Sequence, residues 1–330
     1  VSVRARGAFV GGVLCRFGAS GSAVAAWTAG ASRLRCLSSA SAASGWAGVQ
    51  LSSAHGGMSS GGSFYYHAEL HASGAAPPLG PERGGTRVAV LGSGLKDAYT
   101  LRCRFTNASS ASLGRLVDAS QLECASPMHG LGATRVRLSI NGQQYGDVGV
   151  GGGASYTYER AMSVSSVWPS RVLSEGGTPL TVRGSGFSSV SESLGYAVCR
   201  IGASAARRAA WTSATWLVCN STRSAAGEAR VEVSGNAREY TSDAARLQLV
   251  SVRVVDAQPW GGPQRGATLV SVRASGAFVG SGVLCRFGAS GSAAAAWTSG
   301  ASRLRCLSSA SASSGWAGVQ LSSAHGGMSS

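Results

Sequence analysis

The chain is poor in lysine, in acids and in proline, and it has no long apolar run. Lys96 is the single lysine among 29 basic side chains, set against 14 acids, and Pro occurs 8 times in 330 residues. So little Pro, with 48 Gly that follow no three-residue period, excludes a collagen-like helix and a Pro-rich stalk. No apolar stretch reaches the roughly 18 residues of a membrane-spanning helix. The formal charge of +15 comes almost wholly from Arg. An excess of Ala, Gly and Arg with one Lys is a compositional bias, so the charge alone is a weak pointer and no nucleic-acid partner is expected. At 44% hydrophobic residues the chain has ordinary globular content.

What is present is periodic. Residues 1–60 return as residues 270–330 with four substitutions (Arg6/Ser275, Val24/Ala294, Ala29/Ser299, Ala43/Ser313) and one inserted residue, Ser281. The 330 residues therefore read as one period of about 270 residues plus an overlap, cut from a longer repetitive chain. A weaker period lies inside. Gly84-Gly85-Thr86 begins a stretch ending Gly92-Ser93-Gly94, and it recurs at Gly176-Gly177-Thr178 through Gly186 and at Gly266-Ala267-Thr268 through Gly276. Three units of about 90 residues fill the long period, and that is the size of one immunoglobulin-type sandwich.

Cysteine supplies the frame. The eight Cys fall as Cys15/Cys36, Cys103/Cys124, Cys199/Cys219 and Cys285/Cys306, one pair per unit. Each first Cys sits in an alternating run such as Val13-Leu14-Cys15-Arg16-Phe17, so a strand would bury Cys and Phe and expose Arg. Two Cys per unit without close C-x-x-C spacing do not make a four-ligand zinc site. One disulfide per unit is the economical pairing. It closes a short loop, stabilises a domain by roughly 3 kcal/mol in the chain-entropy account, and implies an oxidising compartment. Two sequons, Asn107-Ala108-Ser109 and Asn220-Ser221-Thr222, stand where strands should run into loops, and Asn107 and Asn220 are the expected N-glycosylation sites.

In order, Pro169, Gly176-Gly177-Thr178, Gly184-Ser185-Gly186-Phe187, Cys199-Arg200-Ile201-Gly202 and Cys219 follow the pattern of a known family. Cys15-Arg16-Phe17-Gly18 and Cys285-Arg286-Phe287-Gly288 repeat its third element, and the runs Asn141 to Tyr145 and Asn236 to Tyr240 its last. The chain resembles the IPT/TIG domains, the immunoglobulin-like fold shared by plexins and some transcription factors. Departures are Leu95 in place of Phe and a first unit whose Ser52 to Met58 run lacks the final Asn and Tyr. The resemblance implies a scaffold or binding module with no catalytic residues.

Other constellations weigh less. Gly57-Met58-Ser59-Ser60-Gly61 has the letters of a nucleophile elbow, but no strand-to-helix context surrounds it. Gly149 to Ala154 has those of a dinucleotide loop, with no helical period after it. His67, Glu69 and His71 alternate along a stretch read as a strand, with Phe64, Tyr66, Ala68 and Leu70 inward; a solvated face is favoured over a metal site. Trp27, Trp211 and Trp297 recur at fixed register, which favours packing over sugar stacking.

The expected architecture is all-β: tandem immunoglobulin-like β-sandwich (IPT/TIG-type) domains with one disulfide each, arranged as a rod. The domains are expected at 1–72 (lacking its first strands), 73–160, 161–250 and 251–330, with residues 73–81 as an irregular, Pro-stiffened junction. The expected function is structural: a non-enzymatic repeat of an extracellular or cell-surface fibre. The alternative is a receptor or adhesin ectodomain that presents a distal binding module. The expected partners are copies of the chain, covalent glycans and, as a further candidate, anionic polysaccharide. No cofactor, metal or membrane span is expected in this segment.

Overall fold

Alternation along the sequence becomes alternation of burial. In Val13–Phe17 the pattern is strict, with Val13, Cys15 and Phe17 buried and Leu14 and Arg16 exposed. Such strands need two facing sheets to cover their apolar sides. The computed structural model of the chain describes residues 1–4, 12–27, 33–53, 58–96, 100–146, 152–243, 245–276, 283–297 and 303–323. Within them the chain forms four β-sandwiches, and the one helix among the described residues is the short Ser189–Ser193.

The second unit shows the plan. Strands His71–Ala76, Arg87–Ser93, Gln121–Ala125 and Ser112–Asp118 lie side by side in one sheet. Arg102–Phe105, Gly132–Ser139, Ala154–Glu159 and Leu79–Pro81 make the facing layer, and Ser112–Asp118 also bonds to Arg102–Phe105, so the two layers run on as one eight-stranded sheet folded over the core. All pairings are antiparallel except Leu79–Pro81 with Ala154–Glu159, which is parallel. This is the immunoglobulin order, ABED facing CFG, with the first strand split so that its second half crosses to the other sheet. The crossing follows a cis Ala76-Pro77 bond, and Trp168-Pro169 and Gln258-Pro259 repeat it in the third and fourth units. Each of these first strands also carries an irregularity at the same place, between Ala72/Gly74, Val164/Ser166 and Val254/Asp256. The first unit begins with Ser2–Arg4 as its B strand, whereas the fourth has its A strand, Arg253–Gln258.

Each unit has its own core. That of the second centres on Phe105, Tyr156 and Tyr158, packed edge to face. That of the third centres on Leu180, Val182, Leu217, Val231 and Leu247. The fourth unit's core also takes in Leu173 and Val250 from the third, so an apolar contact runs across that junction.

Two sequence expectations change. Residues 64–71 are not one strand. The pairing of Gly45–Ser53 with Met58–Tyr66 ends at Gly45 and Tyr66, and the chain beyond has no partner strand until His71. Ala68 is accordingly exposed, not inward, while Leu70 is buried in the second unit's core. Residues 73–81 are likewise not a junction between domains. They lie in the second unit's split first strand, His71–Ala76 and Leu79–Pro81.

Candidate functional site at the domain junctions

The structure joins Cys15 to Cys36, Cys103 to Cys124, Cys199 to Cys219 and Cys285 to Cys306, with Cα atoms 6.1–6.3 Å apart. In each unit the first Cys lies on the C strand and the second on the E strand, so every bridge ties the two sheets together across the core. Asn107 is exposed in the turn after Arg102–Phe105, at φ 66°, a conformation Asn tolerates better than most residues. Asn220 is exposed at the last position of Trp216–Asn220.

The family motifs have distinct mechanical jobs. The first Gly of each G-G-T stretch is left-handed (Gly84 φ 73°, Gly176 φ 80°, Gly266 φ 77°), and a Cβ there would meet backbone within 2.5–2.7 Å. The Thr that follows is clamped by a Ser two residues after the second Cys. Ser126, Ser221 and Ser308 accept the N–H of Thr86, Thr178 and Thr268 at 3.1, 2.9 and 3.1 Å. That Cys-x-Ser recurrence was present in the sequence, as Cys124-Ala125-Ser126 and its equivalents, and went unread. The Asn of the last motif builds a turn. Asn141 Oδ1 accepts from the N–H groups of Gln143 and Gln144, and Asn236 Oδ1 from those of Arg238 and Glu239. The turn's Tyr then lies against the Arg of the C-R element, Arg104 at 4.1 Å from the Tyr145 centroid and Arg200 at 3.9 Å from that of Tyr240.

At the junction of the second and third units these motifs meet. Thr86, fully buried, donates its hydroxyl to Glu239 at 2.8 Å and accepts from Asn236 Nδ2 at 3.2 Å. The G-G-T loop of one domain thus docks on the Asn turn of the next. A Cβ on Gly80 would collide with Tyr156 Oη and Thr86 Oγ1, so the close approach requires glycine there. Glu159, at the end of the second unit's last strand, accepts the hydroxyls of Ser188 and Ser191 at 2.5 and 2.7 Å. Ser188 is the N-cap of the third unit's helix. Asp243 reaches Val164 N–H, at the start of the third unit's first strand, at 2.5 Å. The connector is only residues 160–162. The cavity left at this junction, about 30 Å³, has room for a water molecule or two and not for an organic ligand. At the first junction Lys96 donates to Tyr65 Oη at 2.6 Å, and Tyr65 packs edge to face on Trp46.

A larger hollow, about 380 Å³, lies in the fourth unit beside the exposed Trp260 and Trp316, whose rings stack at 6.1 Å. It has the look of a sugar site until the first unit is compared. There the equivalent wall, Ala47 and Val49, pairs with Met58–Tyr66, and Phe64 packs on Phe17, the counterpart of Phe287. In the first unit that strand therefore covers the surface that the hollow leaves open in the fourth. Among the described residues no three His, Cys, Asp or Glu converge as metal ligands. His67 turns back, its Nδ1 2.8 Å from the carbonyl of Ala68, in the irregular connector. Trp211 packs on the third unit's core and donates to Phe187 O at 3.3 Å; the side chains of Trp27 and Trp297 lie outside the described residues. Gly57 and Gly149 to Gly151 lie outside them too. Displaced pKa values are scattered. Hydrogen bonds from Ser120 lower Asp118, a hydrogen bond from Arg115 lowers Glu123, and burial raises Tyr156 and Tyr158.

The fold and its junctions define a class: immunoglobulin-like sandwiches in tandem, each bridged between its sheets, joined by connectors of a few residues. The IPT/TIG domain family matches residues 73–158 and 162–248, together more than half of the chain, and the chain belongs to that family. Among solved structures it is similar to the full extracellular region of Plexin A4, at 11% identity over 97% of this chain and 45% of that one, with a TM-score of 0.33. It is also similar to the Bacteroides ovatus mixed-linkage glucan utilization locus protein SGBP-B, solved with a mixed-linkage heptasaccharide (12% identity, 96% of this chain, 87% of that one, TM-score 0.24). A third is invasin, a bacterial integrin-binding protein (8% identity, 95% and 69%, TM-score 0.24). The chain spans less than half the length of the Plexin A4 chain. No curated protein matches it.

Proposed function

We propose that the chain is a repeating segment of an extracellular or cell-surface fibre, built from near-identical units of about 270 residues with three IPT domains each. The observation that carries this reading is the combination of an almost unchanged 60-residue repeat with short, bonded connectors. Equivalent surfaces then return at a fixed step along a stiff chain, and that is what regular lateral or end-to-end assembly needs. The disulfides support an oxidising location, and the exposed Asn107 and Asn220 support glycosylation there. The role we propose is scaffolding: the two raised phenols, Tyr156 and Tyr158, pack on each other inside the second unit's core rather than facing a cleft. Sedimentation of the purified chain tests it: association that grows with concentration is expected. A chain that stays monomeric at high concentration would leave the receptor or adhesin ectodomain as the better reading.

A further inference from the structure

One turn is built twice, with different chemistry at its tip. Asn141-Gly142-Gln143-Gln144-Tyr145 follows the strand Gly132–Ser139 in the second unit, and Asn236-Ala237-Arg238-Glu239-Tyr240 follows Gly227–Ser234 in the third. In both, Asn Nδ2 donates to the side chain three residues on, Gln144 Oε1 at 2.6 Å and Glu239 Oε2 at 2.5 Å. In both, the Ser two residues before donates its hydroxyl to Asn Oδ1 at 3.2 Å, Ser139 in one and Ser234 in the other. The residue after Asn differs. Gly142 stands at φ 72°, and Ala237 holds the same left-handed conformation at φ 57°, which costs a residue with a Cβ and costs glycine nothing. Their settings differ too: Asn141 is exposed, whereas Asn236 is buried and donates to Thr86 of the neighbouring unit. The chain has Asn at 107, 141, 220 and 236, and only Asn141 precedes a glycine.

An Asn side chain is open to attack by the backbone nitrogen of the residue after it. That nitrogen bonds to Cγ and gives up its proton, the Cγ–Nδ2 bond breaks, and ammonia leaves. Water then opens the cyclic imide at either carbonyl and gives Asp or its β-linked isomer. Water is the only co-reactant. A Cβ on the attacking residue crowds the approach, so Asn-Gly is the reactive pair. In the second unit both reacting groups are engaged elsewhere. The N–H of Gly142 donates to the buried Ser139 Oγ at 2.8 Å, and Asn141 Oδ1 is held by the N–H groups of Gln143 and Gln144. Reaction therefore waits for the turn to open. In the third unit Ser234 Oγ accepts from the N–H of Asn236 instead, at 3.3 Å, so the nitrogen of Ala237 is not held in this way.

We propose that Asn141 is a site of spontaneous deamidation guarded by Ser139, and that Ala237 keeps the homologous Asn236 from the same reaction. The consequences at the two sites are unequal. At 141 the new carboxylate arises in an exposed turn beside Arg102, whose Nε would lie 3.2 Å from a Cβ on Gly142. At 236 a carboxylate would replace the amide that donates to Thr86 Oγ1 and to Glu239, setting two anions against each other where the second and third units lock. Glycine's easy backbone is thus used where the product is tolerated, and a strained alanine where it would open the junction. The modification is independent of whether the chain forms fibres.

The test incubates the intact, disulfide-bonded chain in mildly alkaline buffer and follows Asp and isoaspartate at each Asn by peptide mass spectrometry. In the parent, conversion at 141 should outrun conversion at 236. Ser139→Ala frees the N–H of Gly142 and should speed conversion at 141 roughly three- to tenfold, the worth of one hydrogen bond. Ala237→Gly should raise conversion at 236 about tenfold. Hydrogen exchange along Gly132–Ser139 checks that Ser139→Ala keeps its fold. The parent unfolded in guanidinium gives the same comparison without a substitution, and Asn141 should convert roughly three- to tenfold faster there than in the folded chain. Four results would each overturn the proposal: parent conversion at 141 no faster than at 236, equal rates at 141 in folded and unfolded chain, no acceleration in a folded Ser139→Ala, or no acceleration at 236 in Ala237→Gly.

Discussion

The contact between Thr86 and Glu239 joins residues 153 positions apart, in different domains, and it is the sharpest test of whether the second and third units behave as one body. Glu239→Ala removes the acceptor for a hydroxyl that is fully buried, and Asn236 Nδ2 loses one of its two acceptors, keeping Thr86 Oγ1. A hydrogen bond to a carboxylate is worth ~1.5–3 kcal/mol, and the lower end applies here because Glu239 is only half-buried. Thr86→Val removes the same bond from the other side while keeping the shape of the side chain. Site-resolved hydrogen exchange on the full chain reads the effect locally. In Glu239→Ala, amides of residues 84–86 should exchange about tenfold faster although the substitution lies in the other domain. Adding Glu239→Ala to Thr86→Val should produce little further change in that loop, as expected of two halves of one interaction. Unchanged protection at residues 84–86 in Glu239→Ala would refute the idea that the G-G-T loop and the Asn turn lock the junction.

The other expectations are direct. Replacing Cys103 and Cys124 by Ala should lower the second unit's stability by about 3 kcal/mol and leave the fourth unit's transition in place, as scanning calorimetry would show; an unchanged thermogram would contradict it. Intact-glycopeptide mass spectrometry of native material should find glycan on Asn107 and Asn220, and two bare Asn residues would count against a secreted protein. Burial raises the phenols of Tyr156 and Tyr158 above their ordinary 10.0. The folded and unfolded states are both protonated below that value; above it the unfolded chain releases protons that the folded chain keeps, so stability falls as pH rises past about 10. Phenolate absorbance should show these two groups ionising together with unfolding of the second unit, and ordinary titration in the folded state would refute their burial.

Strands, unit count and disulfide partners were legible because each is written locally and repeated. Alternation in Val13–Phe17, the turn Gly pairs and the Cys spacing each need only a few consecutive residues to be read. What stayed hidden depends on pairs far apart in the chain. Nothing near Glu159 marks it as the acceptor for Ser188 and Ser191 in the next domain, and nothing near Thr86 points to Glu239. The stretch from Phe64 to His71 misled for a related reason. Its alternation is real, but a strand lasts only as long as its neighbour, and the neighbour ends at Gly45. Arg183 and Trp216 are 33 residues apart in sequence and become opposite, guanidinium over indole, only in the sheet. The Cys-x-Ser clamp is the one feature that was plainly periodic and passed unread.

Electron microscopy of native material measures the central claim most directly. A domain of this size has a radius of gyration of about 12 Å and spans ~30–40 Å, so three in line give an axial repeat of ~90–120 Å, less if successive domains zigzag. The account predicts long fibres whose repeat matches that length and persists after mild salt washing, since exposed ionic contacts align chains more than they hold them. Separate, non-associating rods, or fibres whose repeat bears no relation to three domains, would contradict it.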